Sequence, residues 1–414
     1  MRTVKWNAFL SGLCGFAAVL GVVTASAARA DVTLGTGSSI LIFPKVLANG
    51  TFDTVIEIAN TGNSLVFAHC FYVNAPLQNV ITNLPCTVPS SACVAACNET
   101  DFDIVLTKQQ PTHWVVSQGR DVFTQGVESD HYVGNALNDA GFAPGLVPPE
   151  GCDVSSDPNC SSPFQGELKC IEVSETDEPL AGNHLKGEAT LVAVQTASGN
   201  DINHPGATVG DISAYSAVGI ASLPDASPSS NVLLLDGNTY EACPARLIVD
   251  HVASGADDPV LDGVTSFNTN YSGFTSSVST ELTLVPCNED LEDQIFTTQT
   301  LDIAVYNEFE TRFSTSTSVS CYLSLELTNI DSATNPQRSI FASNALLQTL
   351  TAHTEITPAV NSAQHAVIGV IDRAVTVTSG GTSVTARAAY DLHTQGDQIP
   401  AAGPDEIILP QLQQ

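Results

Sequence analysis

The chain has 414 residues, 13 Lys and Arg against 44 Asp and Glu, and a formal net charge of −31. A surface this acidic repels phosphate backbones and anionic lipid, which argues against nucleic-acid binding and electrostatic membrane docking. With 6 % aromatic residues and 11 cysteines, the composition also fits an outer-membrane barrel poorly.

The first element is a leader. Arg2 and Lys5 precede an apolar, small-residue run over residues 8–23, and Ala28 and Ala30 form an Ala-x-Ala site. This pattern predicts a secretory signal over residues 1–30, cleaved after Ala30, and a secreted, periplasmic or extracellular protein. The apolar run is shorter than the roughly 20 residues needed to span a bilayer, so no membrane insertion is expected after cleavage. Cleavage removes Arg2, Lys5 and Arg29 and no acid, so 13 − 3 leaves 10 bases against 44 acids and a charge of −34. Cys14 leaves too, and 11 − 1 gives ten cysteines. An even number in an exported chain reads as disulfides. Candidates are Cys70, Cys170, Cys287 and Cys321, with Cys152 and Cys160 bracketing the local loop "CDVSSDPNC". Cys86, Cys93 and Cys97 cluster as well, but no fourth ligand stands nearby to make a zinc site.

The interior reads as strands. "SSILIFP", "DTVIEIAN", "LVFAHCFYVN", "FDIVLT", "HWVVSQ", "GELKCIEV" and "KGEATLVAV" fill the first half. "NVLLLD", "ARLIVDHV", "TELTLVP", "TLDIAVYN", "SVSCYLSLEL", "HAVIGVI" and "SVTARAAY" fill the second. They are short, β-rich and bounded by turn residues, which predicts antiparallel sandwiches. "SVSCYLSLEL" alternates as one strand, and "FDIVLT" with "HWVVSQ" reads as a hairpin turned at "KQQP", with Trp114 as its core anchor. "LPDASPSSN" over residues 223–231 reads as a linker. The expected organisation is therefore an N-terminal domain over 31–222, with long disulfide-pinned loops, and a C-terminal domain over 231–414.

A loose internal similarity links the halves. "ILIFP", Thr54, "VIEIAN" and a strand with Cys70 are matched by "LTLVP", Thr300, "LDIAVYN" and a strand with Cys321. This strand order, with "TVIEIANTGNS", resembles the first strands of immunoglobulin-like modules of bacterial surface and envelope proteins. The resemblance implies an all-β fold of two antiparallel immunoglobulin-like β-sandwich domains. It brings no activity or site residue with it.

Chemistry-bearing motifs are few. No G-x-S-x-G, H-E-x-x-H, phosphate loop or dinucleotide fingerprint occurs. Lys108, His113 and Arg120 lie close together, and "ESDH" adds His131, so these four are the candidate binding residues. Asp257, Asp258 and Asp262 form the densest acidic turn and the candidate set for a structural Ca2+, with "NEDLED" and "DVSSDPN" as further acid-rich turns. No other cofactor is expected. These features fit an exported, non-enzymatic surface, matrix or adhesion protein, self-assembling or binding a cell-surface partner. The alternatives are a secreted hydrolase built from the loops over 106–165, or a calcium or small-molecule carrier.

Overall fold

Ile40–Ala48 and Val66–Asn74 are buried along nearly their whole length because their layer is covered on both faces. The computed structural model describes residues 36–49, 51–79, 81–82, 93–121, 146–147, 164–193, 212–224, 231–254, 274–332, 335, 338–343, 347, 349–360, 365–379, 381–397 and 404–410. They are overwhelmingly β, with a short helix at Leu327–Ser332 and a 3-10 turn at Val116–Gln118. No helix among them is long and apolar enough to cross a membrane.

The first half is one antiparallel sheet system that turns a corner where Ala48 pairs with Asp53. On one side of the corner run Val218–Ile220, Ile40–Ala48, Phe164–Val173, Val66–Asn74 and Asn98–Leu106. On the other run Ile212–Ser216, Leu185–Ala193, Phe52–Asn60 and Pro111–Val115. Side chains alternate along a strand. Leu41, Phe43, Cys70, Tyr72, Phe102 and Leu168 therefore face Ile56, Ile58, Trp114, Leu185 and Leu191 in one core. Ile40, Ile42, Phe71, Val73 and Ile171, of opposite parity, pack against Leu233, Tyr240, Val285, Ile368 and Ile407 of the second half. Gly166 allows the close approach of strands here, since a Cβ on it would lie 1.9 Å from the Val73 carbonyl oxygen.

The second half holds a four-stranded sheet of Leu323–Glu326, Phe274–Pro286, Val367–Ser379 and Thr382–Asp391. A five-stranded sheet of Arg312–Val319, Gln299–Asn307, Thr351–Pro358, Pro244–Val252 and His393–Asp397 stands with it. Leu247, Val249, Leu284, Leu301, Ile303, Val305 and Ile371 fill the core of this half. The short strands Val232–Leu235, Asp405–Ile408 and Glu289–Asp290 make a third sheet, in which the last pairing is parallel.

Two expectations are corrected. Residues 102–118 are no hairpin. Asn98–Leu106 pairs with Val66–Asn74, whereas Pro111–Val115 pairs with Phe52–Asn60. The turn at residues 107–110, with Gln109 at φ 54°, carries the chain from one layer to the other. Leu106 and Trp114 then point into the same core from opposite sides. Trp114 is the expected anchor, and its Nε1–H donates to the Tyr72 hydroxyl at 2.6 Å. "SVSCYLSLEL" is likewise not one strand. It breaks at residues 320–322, between Arg312–Val319 of the five-stranded sheet and Leu323–Glu326 of the four-stranded one. Cys321 is fixed at that crossing by its bond to Cys97.

The internal similarity has a local counterpart. Phe52–Asn60 and Gln299–Asn307 are both nine-residue strands ending in Asn. Asn60 Oδ1 accepts the Gly62 N–H and Asn307 Oδ1 accepts the Phe309 N–H, the same two-residue turn closure. The cysteines differ: Cys70 bonds Cys170 within its own half, while Cys321 bonds Cys97 across the halves. A third disulfide joins Cys243 to Cys287. Cys152 and Cys160 lie outside the described residues. These three disulfides among the described residues fit an oxidising compartment.

Candidate functional site

Ionisable side chains are gathered where apolar strands would be expected to exclude them. His69 belongs to Val66–Asn74 and faces Asp103 of Asn98–Leu106 directly across the ladder, while Asp101 lies opposite Phe71. His69, Phe71, Asp101 and Asp103 share the face of the layer away from Trp114, by the period-2 alternation of both strands. His69 is 3 % exposed and Asp103 6 %. The imidazole stacks on the Phe71 ring with centroids 4.3 Å apart. Its Nε2 lies 2.9 Å from Asp101 Oδ2, and its Nδ1 lies 3.7 Å from Asp103 Oδ1. Asp177 completes the group from the turn after Phe164–Val173, held with φ 55° by backbone hydrogen bonds to Ser174. The ligand atoms of His69, Asp103 and Asp177 all lie within 4.8 Å of one another, so these three residues could hold a metal ion.

The electrostatics follow from burial. Burial alone would lower the His69 pKa. The Asp101 hydrogen bond and the charges of Asp103, Asp101 and Asp177 outweigh it and raise it to about 9. Burial pushes Asp103 up to about 7, with His69 opposing and the neighbouring aspartates adding to the shift. Asp177 rises for the same reasons, burial first.

A second set of buried charges spans the two halves. Lys45 follows Pro44 in a register irregularity of Ile40–Ala48, where the proline has no N–H to donate. Its ammonium is 1 % exposed and meets Glu281 at 2.9 Å and Asp372 at 3.4 Å, both on strands of the second half. Lys169 is fully buried, 2.7 Å from Glu167 Oε2 and paired with Glu289 of the second half, both also fully buried. Burial, then the Glu289 charge, raises Glu167 well above its ordinary range against the pull of Lys169. The rise at Glu167 moves the trio towards neutrality, the state a dry interior favours.

Elsewhere a buried histidine stays neutral. Burial outweighs the pull of the Val252 carbonyl and of Asp250 and lowers the His251 pKa from 6.5 to about 4. Its folded pKa lies below its unfolded value, so its contribution is complete above pH 6.5 and is lost as pH falls from 6.5 towards 4. About 3 kcal/mol is at stake over that window. Chemical denaturation at pH 7 and pH 4.5 should show a smaller acid loss in His251→Gln than in the native chain.

Of the candidate binding residues singled out in the sequence, the structure describes the side chains of Lys108 and His113. His113 is exposed and sits opposite Glu57 across its strand pair. Lys108 is exposed in the layer-crossing turn. Arg120 lies in the two-residue strand Arg120–Asp121, and its side chain is outside the described residues. His131, Asp257, Asp258 and Asp262 are also outside them. In "NEDLED", Glu289 points inward to Lys169, and Asp290 Oδ1 accepts the N–H groups of Glu292 and Asp293, so that turn is closed by its own hydrogen bonds.

A cavity of about 410 Å³ opens between the halves. Gln165, Thr298, Thr317, Ser320, Tyr322 and Ser324 supply its polar lining, and no acid, base or histidine lines it.

No family model matches the chain, and no curated protein matches it. Among solved structures, a lectin from Pleurotus ostreatus in complex with GalNAc is 11 % identical, with 92 % of this chain and 93 % of that chain covered and a TM-score of 0.13. The CupB6 tip adhesin from Pseudomonas aeruginosa is 11 % identical, with 87 % and 94 % covered and a TM-score of 0.13. Overlaps at that TM-score carry no fold and no function.

Proposed function

We propose that the chain is an exported, non-enzymatic surface, matrix or adhesion component. In this reading residues 1–30 are a leader cleaved after Ala30. Residues 31–222 and 231–414 are two immunoglobulin-like sandwich domains held as one rigid scaffold. The observation that carries the reading is the fastening between the halves. Cys97–Cys321 crosses it covalently, and Lys45 and Lys169 each reach from the first half into buried carboxylates of the second. A joint closed covalently in this way resists separation of the halves, and disulfides persist in oxidising compartments. The cleft supports binding rather than acid–base catalysis, because its polar lining is hydroxyl and amide. The calcium reading of Asp257, Asp258 and Asp262 remains a proposal of the same kind, as a structural ion.

Immunogold electron microscopy of producing cells tests the reading. Gold on the outer cell surface or extracellular matrix is the expected result. Protein found only as soluble monomer in the periplasm or medium would overturn it.

A further inference from the structure

We propose that His69, Asp103 and Asp177 bind one divalent first-row cation of the zinc or manganese class, with Asp101 as the residue that positions the imidazole. Asp101 Oδ2 lies 2.9 Å from Nε2, so Nε2 carries the proton that this bond requires. In the neutral ring Nδ1 then presents a lone pair, and Asp103 Oδ1 is 3.7 Å from it. That distance is too long for a hydrogen bond. It is a few tenths of an ångström more than the roughly 3–3.5 Å that separates two neighbouring ligands bound at about 2.0–2.2 Å to one ion.

The second observation is independent of that geometry. Asp103 Oδ1 is buried and has no hydrogen-bond partner. An acceptor left in this state is costly, the more so if charged, so a native fold normally supplies it with a partner. Two facing acceptors, a nitrogen lone pair and a carboxylate oxygen, are completed by a cation or by an added proton. Asp177 adds a further carboxylate within 4.8 Å and is only half-buried, which leaves a solvent side from which an ion enters and on which a water ligand stands.

The donor set chooses the ion. One imidazole nitrogen with two carboxylates suits zinc or manganese, whereas calcium sites are built of oxygen alone. Asp101 on the far ring nitrogen is the carboxylate–histidine–metal arrangement that fixes the tautomer and aims the lone pair. Three of the four residues lie on neighbouring strands rather than on loops, so the group is preorganised. The site is separate from the fastening between the halves and does not depend on the surface reading.

The test uses the oxidised mature chain, stripped with a chelator and titrated with Zn2+, Mn2+ and, as a spectroscopic probe, Co2+. One equivalent should bind, with a perturbation of the His69 ring-nitrogen resonances that appears in the native chain itself. Asp103→Asn should abolish that equivalent. Asp101→Asn should retain it with affinity lowered about 10–100-fold, the effect of losing an outer partner of a ligand. No change at the His69 ring with millimolar Zn2+, Mn2+ or Co2+ would overturn the proposal, leaving a protonated imidazole between carboxylates. Unchanged binding in a folded Asp103→Asn would overturn the ligand assignment. Ca2+ bound more tightly than Zn2+ would overturn the choice of ion.

Discussion

Lys169→Met should destabilise the protein by about 3–5 kcal/mol, because it leaves Glu167 and Glu289 buried without their cation. The loss comes from stranded charge rather than from a missing attraction. A triple variant that also carries Glu167→Gln and Glu289→Gln should therefore regain much of it. Guanidinium unfolding of the native, single and triple chains measures this. A single variant within about 1 kcal/mol of native would mean that water reaches the trio and that it does not fasten the halves.

Removing Cys97–Cys321 with a Cys97→Ala and Cys321→Ala pair should cost about 5 kcal/mol in the chain-entropy account. Its sequence separation is 224 residues, against 44 for Cys243–Cys287. The logarithmic dependence on loop length makes the first loss larger by about 1 kcal/mol. Parallel denaturation of the two double variants checks both the size and the order. Equal or reversed losses would show that local packing, not chain restriction, sets the contribution of each bond.

Much of the all-β character was legible, because β-branched runs between turn residues carry a local signal. The wet face of Leu185–Ala193 was legible too: Lys186 and Glu188 are exposed while Leu185, Ala189 and Leu191 are buried. Pairing was not legible. "KQQP" is a turn, as its residues suggest, but a turn does not say whether its flanking strands pair together or with other strands. "SVSCYLSLEL" keeps its alternation while changing sheets at Cys321, so period alone reads through the break.

The buried charges were hidden by the same alternation. In "GELKCIEV", Glu167 and Lys169 look like a solvated face opposite Leu168 and Cys170. That face is covered by the second half, a contact no local pattern reveals. The His69 group is hidden in "LVFAHCFYVN" and "FDIVLT", where apolar residues dominate the pattern. The available signal was Asp101 and Asp103 two apart on a strand otherwise buried, with a histidine in another such strand. Ionisable groups sharing a face inside apolar strands need partners, and here they are each other's. His113 stands near other bases in sequence, but neighbours along a strand alternate between its faces, so sequence proximity alone does not place side chains together.

Fastened by Cys97–Cys321 and by the buried Lys45 and Lys169, the two halves should unfold as one body. Differential scanning calorimetry of the oxidised chain measures this directly. A single transition whose calorimetric and van't Hoff enthalpies agree is expected, resolving into two when Cys97–Cys321 and Lys169 are removed together. Two separate transitions in the native oxidised chain would contradict the account.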